Sequence, residues 1–366
     1  MRRGGLRIGF YGSSLVSAYW NGAATYYRGL IRALAGRGHQ VTFFEPDAYE
    51  RQRHRDIADP DWARVVVWPA TEGGLGRVLD RSGEFDVLVK ASGVGVFDRE
   101  LEAGILEVRR AGQMVVFWDV DAPATLERVL GDPHDPFRPL IGRYDLVCTY
   151  GGGEPVRSRY AGLGARLCLP VYNALDPDTH FPVPPDPRFA ADLGFLGNRM
   201  PDRERRVEAF FLETARLAPG KRFTLGGAGW ESKAMPANVR RLGHVGTADH
   251  NAFNCSALAV LNINRDSMAA YGFSPPTRVF EAAGAAACLV TDAWEGIETF
   301  LEPGREVLVA EDGAAVARHL TGLDPARARA IGEAARKRVL AKHTYAHRAA
   351  LVEDVLTGIG RSEAAA

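Results

Sequence analysis

The sequence predicts an α/β protein made of two doubly wound, parallel-sheet domains facing one another across a cleft, and three observations carry that expectation. Apolar runs of strand length alternate with amphipathic segments of helical spacing along the whole chain. The alternation breaks only once, at "LDPDTHFPVPPDPRFAAD" (175–192), which holds five prolines and little periodicity. With 366 residues, 46% of them hydrophobic, the chain is long and apolar enough for two ordinary cores.

The elements follow in order. "LRIGFYG" (6–12) reads as a strand, "AATYYRGLIRALAGRGH" (23–39) as a helix with Tyr27, Leu30, Ile31 and Leu34 on one face, and "VTFFE" (41–45) as the next strand. Further strands are expected at 65–68, 85–90, 114–118, 145–149 and 166–169, most of them separated by helical segments. Strands alternating with helices imply a parallel sheet covered on both faces. The first domain is placed at 1–175, a Pro-rich linker at 176–190 and the second domain at 191–345. A last helix over 346–366 has the option of crossing back to the first domain. Strands of the second half are expected at 193–196, 222–225, 257–263, 288–291 and 307–309, with helices near 202–217 and 247–255.

Charge and cysteine content exclude several classes. Forty-five basic and 45 acidic residues cancel, so nothing points to a nucleic-acid partner. Cys148, Cys168, Cys255 and Cys288 lie far apart without a C-x-x-C pair, which argues against zinc and against a disulfide scaffold. No apolar run reaches the ~18 residues that span a bilayer. A cytoplasmic protein without an integral membrane segment is expected; the oligomeric state is open.

One stretch concentrates unusual chemistry: "GFSPPTRVFEAAGAAACLVTD" (272–292). Ser274 is expected to cap a helix whose first turn holds Pro275 and Pro276 and which runs to Gly284. Arg278 and Glu281, three residues apart, then share a face beside the apolar face of Val279, Phe280 and Ala283. A surface ion pair is the plain alternative. In doubly wound sheets ligands bind outside the carboxyl ends of the strands, so polar residues that follow strands are the ones to weigh.

Several such segments, "NGAATYYRGLIRALAGRGHQVTFFE", "FWDVDAP", "RYDLVCTYGGGE", "PTRVFEAAGAAACLVTDAWEGIETFLEPGREVLVAED" and "HTYAHR", together resemble the CgeB/YkvP spore-protein branch of the GT-B glycosyltransferases. The likeness runs over nearly the whole chain and is most specific from Arg278 through Val309. It implies a GT-B fold of two Rossmann-like domains, a nucleotide-sugar donor such as a UDP-sugar held by the C-terminal domain, and an acceptor held mainly by the N-terminal one. It implies no cofactor and no obligatory metal.

Glycosyl transfer builds negative charge on the departing phosphate, so positive donors must wait there. Arg199 and Arg203 in "FLGNRMPDR", Arg265 in "LNINRD" and Arg278 follow strands or open helices and are the phosphate candidates. Each has a solvated surface arginine as its alternative. The resemblance gives Glu281 the ribose hydroxyls, as the second acid of a Glu-x7-Glu motif. The first acid is absent, because Phe273 stands eight residues earlier. Glu295 in "DAWEGIE" is the candidate to replace it, with Gly296 letting backbone approach the sugar.

On the acceptor side, Asp119 and Asp121 follow the strand "MVVFW", and either is a candidate base or acceptor contact. Together they also spell a D-x-D, the metal-holding pattern of GT-A transferases, but the linker and second α/β half argue against that fold. Trp20, Asn21 and Gly22 in "YWNG" are the candidate acceptor-binding residues. His343 in "HTYAHR" reads as structural, and no glycine turn carries a dinucleotide fingerprint.

A glycosyltransferase acting on a small soluble acceptor, such as a natural-product sugar or aminocyclitol, is therefore favoured. A sugar-nucleotide epimerase of the same shape would need acid/base groups around the sugar, for which Asp292 and Glu295 are thin material. A non-catalytic nucleotide-sugar binder would need neither Asn21 nor the acidic pair. Because the candidates for the two substrates lie on either side of the linker, catalysis is expected to require domain closure.

Overall fold

A computed structural model describes residues 5–19 and 21–364, with side chains described to residue 358. Trp20 lies outside the described residues. The chain divides into two compact units, Met1–Tyr172 with Tyr345–Ala366, and Asn173–Thr344.

The first unit contains β1 (Arg7–Tyr11), α1 (Ala24–Gly36), β2 (Gln40–Asp47), β3 (Arg64–Pro69), α2 (Glu72–Leu79), β4 (Val87–Ala91), α3 (Asp98–Glu107), β5 (Met114–Asp119), α4 (Ala122–Gly131), β6 (Leu146–Thr149), α5 (Gly153–Gly162) and β7 (Cys168–Pro170). Its seven strands pair in parallel in the order β3-β2-β1-β4-β5-β6-β7. The order reverses between β1 and β4, which opens a ligand-sized crevice at their carboxyl ends in folds of this kind. Strands β4, β5 and β6 are buried along their whole length, as their unbroken apolar runs require. Phe10 stacks on Phe43 with ring centroids 5.3 Å apart and meets Tyr27 edge-on at 5.4 Å, so one aromatic cluster joins β1, β2 and α1.

The second unit contains β8 (Ala191–Leu196), α6 (Pro201–Val207), α7 (Glu213–Leu217), β9 (Phe223–Gly226), β10 (Val239–Gly243), α8 (His250–Ser256), β11 (Ala257–Asn262), α9 (Asp266–Tyr271), α10 (Thr277–Gly284), β12 (Leu289–Asp292), β13 (Leu308–Ala310), α11 (Gly313–Thr321) and α12 (Pro325–Lys342). A π-helical turn, Glu208–Leu212, joins α6 to α7 and sends Phe210, Phe211 and Leu212 into the core. The six strands are again parallel, in the order β10-β9-β8-β11-β12-β13, with the reversal between β8 and β11. These two parallel sheets with their helices are the α/β GT-B arrangement.

Three details differ from the sequence expectation. Residues 176–190 do not hang as a free tether. Asp186 N–H donates to Ser256 Oγ at 2.7 Å, and Asn251 Nδ2 donates to the Thr179 carbonyl at 2.9 Å, so the prolines lie strapped along α8 within the second unit. The unit boundary accordingly falls between Tyr172 and Asn173. Ser274 does not cap α10, which begins at Thr277 after an extended Pro276, and the Ser274 hydroxyl donates to the Gly272 carbonyl instead. A proline pair disfavours helical backbone at the residue before the second proline, which delays the start.

The last helix, α13 (Tyr345–Ala364), belongs to the first unit and lies on α1. Among the described residues no helix is long and apolar enough to cross a membrane.

Candidate active site

The carboxyl ends of β8 and β11 gather most of the basic candidates. After β8 the chain runs through Asn198 to α6, and Arg203 in its first turn folds back so that Nη2 donates to the Asn198 carbonyl at 2.5 Å. The Arg203 guanidinium also lies 5.8 Å from the Phe195 ring centroid, while its Nε is buried with no hydrogen-bond partner. From α10, Arg278 Nη2 donates to the Leu196 carbonyl, at the last residue of β8, over 3.4 Å. Arg278 Nη1 stands 3.3 Å from Glu281 Oε2 without hydrogen-bond geometry and has no other partner.

Electrostatics report how close these cations are. Burial, followed by the charges of Arg278 and Arg265, pushes Arg203 down to about 10, with Asp202 opposing. Two buried guanidinium nitrogens without a hydrogen bond, on arginines that repel one another, are suited to take the oxygens of a bound anion.

The four phosphate candidates thus separate. Arg203 and Arg278 converge. Arg265 lies within their field but gives Nε to Asp202 Oδ2 at 2.7 Å. Arg199, in the loop before α6, instead makes a two-pronged contact with Glu204 of α6, both bonds 2.8 Å.

Glu281 is 9% exposed, on the α10 face that sequence spacing assigned to it. Burial alone would raise its carboxyl, but the Arg278 charge and a hydrogen bond from Thr277 hold it below the ordinary value. It is therefore an ionised acceptor at neutral pH. His180 comes from the Pro-rich strap and His250 from the start of α8, so residues 31 and more positions away in sequence build the wall around it. Burial, followed by the Arg278 charge, lowers His250 to about 4 and keeps it neutral.

The loop after β12 has a different character. Glu295 is exposed, and its carbonyl accepts the Phe273 N–H at 2.6 Å. Gly296 has φ +96°, and a Cβ there would lie 2.3 Å from the Phe273 ring, so its glycine is demanded by backbone and packing before any ligand is considered. Phe273 itself has φ +44°, a strained value for an aromatic residue, at the position where the motif's first acid is missing.

Sequence reasoning missed two further groups here. Asn264 follows β11, is 1% exposed, and has neither amide nitrogen nor amide oxygen partnered. Its backbone N–H is held by Asp292 Oδ2 at 3.0 Å, and Asp292 is in turn clamped by Arg206 at 2.6 Å. The strand-end position was a usable signal for Asn264; the Arg206–Asp292 pair, 86 residues apart, had none. A neighbouring cavity of 280 Å³ opens at the ends of β9 and β10, lined by Leu225, Gly227, Trp230, Glu231, Arg241 and Gly243.

In the first unit the candidates have other duties. Asp119 is 0% exposed. Its Oδ1 accepts from Ser92 Oγ at 2.8 Å, Thr125 Oγ1 at 3.0 Å and the Asp121 N–H at 3.1 Å; its Oδ2 accepts from Tyr160 OH at 2.5 Å. Burial raises its carboxyl against these four bonds. A carboxylate with no exposure and four donors is a tie between β4, β5, α4 and α5, so its candidacy as the base that meets an acceptor is corrected. Asp121, half-buried at the start of α4, is the member of the pair near solvent.

Asn21 is also spent internally. Its Oδ1 accepts from Ser13 Oγ at 2.9 Å, and its Nδ2 donates to the Ser14 and Ser17 carbonyls at 2.8 and 3.0 Å, which fastens the loop after β1 and uses both amide N–H donors. Gly22 is exposed, with open space where a Cβ would stand.

Residues 203–354 match a family model described as glycosyl transferase-like. No curated protein matches the chain. Among solved structures, a sucrose-phosphate synthase from Thermosynechococcus elongatus superposes with a TM-score of 0.68 at 14% identity, covering 98% of this chain and 100% of that one. Anabaena HepE in complex with UDP-glucose gives 0.65 at 14% identity, over 96% and 100% of the two chains. A glycosyltransferase involved in avilamycin A biosynthesis gives 0.61 at 19% identity, over 99% of each.

Proposed function

From the GT-B fold and a glycosyl transferase-like second half, we propose that this protein is a glycosyltransferase that takes its sugar from a nucleoside-diphosphate sugar, with the donor held in the second unit. The observation that carries the reading is the pair of buried guanidinium nitrogens on Arg203 and Arg278 that lack a hydrogen-bond partner, set beside the ionised Glu281 at the β8/β11 switch point. Arg203 and Arg278, with Arg265 in their field, meet the diphosphate charge that grows as the glycosidic bond breaks. Glu281 takes the ribose hydroxyls. Asn264 offers one donor and one acceptor to the hydroxyls of the sugar. The cavity at the ends of β9 and β10 takes the base.

A uridine base is favoured by analogy with HepE, solved with UDP-glucose. The acceptor is a small soluble hydroxyl or amine compound, and Asp121 is the remaining candidate for its base. The branch of the family is the CgeB/YkvP-like one, and the protein works in the cytoplasm. Because guanidinium groups supply the positive charge, transfer needs no metal and survives exhaustive chelation.

The reading is tested by thermal unfolding of the protein with UDP, ADP, GDP and their glucose conjugates. A true donor at 100 times its dissociation constant raises stability by about 2.7 kcal/mol. A panel in which no nucleoside diphosphate shifts the transition overturns the proposal.

A further inference from the structure

The histidines around Glu281 hold more chemistry than ribose recognition uses. One ligand atom each from His180, His250 and Glu281 lies within 4.8 Å of the other two. The Thr179 hydroxyl donates to the Asp176 carbonyl at 3.1 Å, so its contact with His180 Nδ1 at 2.9 Å must be accepted from an imidazole N–H. In the neutral ring that bond fixes the tautomer and leaves Nε2 as a lone pair. Nε2 lies 3.9 Å from Glu281 Oε1, too far for a hydrogen bond between them. His250 adds an Nδ1 that is buried without a partner. Three potential ligand atoms so close together leave room for a cation between them.

We infer that His180, His250 and Glu281 form a binding site for a divalent transition-metal ion of the zinc class. Two imidazoles and one carboxylate, with a fourth position open, are a recurrent set for such ions. Bonds of about 2.0–2.2 Å place tetrahedral donors roughly 3.3 Å apart, within an ångström or so of side-chain movement from the arrangement present. The outer shell is also in place: Thr179 orients His180, and the Arg278 guanidinium lies 3.3 Å from Glu281 Oε2 while Oε1 is the oxygen nearer His180. Arg278 pairs with the carboxylate on the side away from His180, so its charge weakens the site without occupying it.

The regulatory consequence rests on the donor reading. An ion on Oε1 takes an oxygen that the ribose hydroxyls need, so metal and donor exclude one another. The ion is then an inhibitor of transfer.

The test uses the untagged full-length protein and cobalt(II) as the probe. Titration should give visible d–d absorption of a low-coordinate cobalt centre, saturating at one equivalent, and zinc should displace it. The His180→Ala and His250→Ala variants should each lose the bands, while Thr179→Val, which only frees the ring, should weaken binding roughly 10- to 100-fold. Far-ultraviolet circular dichroism establishes that each variant is folded. Absent bands in the wild-type protein, or bands unchanged in both histidine variants, overturn the site. Saturating UDP should bleach the bands. Bands that need both histidines yet ignore UDP uphold the metal site and overturn the competition, and with it the placement of ribose on Glu281.

Discussion

At the scale of single residues, Arg203 and Asp119 show how differently two buried charges can be used. Arg203 is partly desolvated, repelled by Arg278 and Arg265, and leaves Nε unsatisfied, so without ligand it weighs against the fold. Arg203→Met keeps the aliphatic packing on Phe195 and removes the charge. The ligand-free variant is expected to be more stable than the parent, by on the order of 1 kcal/mol, while losing affinity for nucleoside diphosphates. Thermal unfolding with and without UDP checks both halves; a variant less stable than the parent in the absence of ligand removes the claim that the charge is held ready for an anion.

Asp119 is the opposite case, since every donor around it is satisfied. Asn in its place turns an amide N–H₂ toward hydroxyl and backbone donors, so Asp119→Asn should cost about 1–3 kcal/mol of stability. The sign with pH also follows. Burial raises the folded-state carboxyl above its unfolded value, so the contribution of its titration is fully present below the ordinary pKa near 3.9 and is lost as pH rises through the raised value. The stability difference between parent and variant should therefore vary with pH from about 4 upward, and a pH-independent difference would contradict the assignment. The sequence placed Asp119 correctly at a strand end. It gave no means of seeing Ser92, Thr125 and Tyr160 arrive around it from elsewhere in the chain.

At the scale of elements, legibility followed burial. Strands covered on both faces, such as β4, β5 and β12, wrote themselves as apolar runs. Strand β10 (Val239–Gly243) did not, because it is an edge strand whose Arg240 and Arg241 face solvent, and its sequence reads as a polar loop. The i,i+3 spacing of Arg278 and Glu281 was visible on α10, whereas the choice between Arg199 and Arg203 turned on Glu204, which captures the first and spares the second. The contact of α1 with α13 is equally specific. The Tyr345 ring lies against Gly29, where an added Cβ would come within 2.2 Å of it, and Arg37 pairs with Glu353 further along. Gly29→Ala is expected to lower stability by about 1–3 kcal/mol through overpacking, despite the better helix propensity of alanine. Chemical denaturation measures it, and a stabilised variant would show that α13 does not sit on that face in solution.

At the scale of the whole molecule, the chain spends its first 172 residues on one parallel sheet and the next 172 on another, then returns its last helix to the first. That order was readable from the alternation of strands and helices, and the proline stretch marked the transition. What the prolines do was not readable, because strapping along α8 depends on Ser256 and Asn251, more than 60 residues downstream. The same strap delivers His180 to Glu281, so a segment that looks like a spacer furnishes part of the site. The assignment of donor chemistry to the second unit is the central claim. Calorimetric titration of UDP into the parent, Glu281→Ala and Asp121→Asn proteins tests it most directly. Loss of the carboxylate's hydrogen bonds to ribose should weaken UDP about 10- to 100-fold in Glu281→Ala, and Asp121→Asn should bind as the parent does. Unchanged affinity in Glu281→Ala, with the loss falling on Asp121→Asn, would contradict the account.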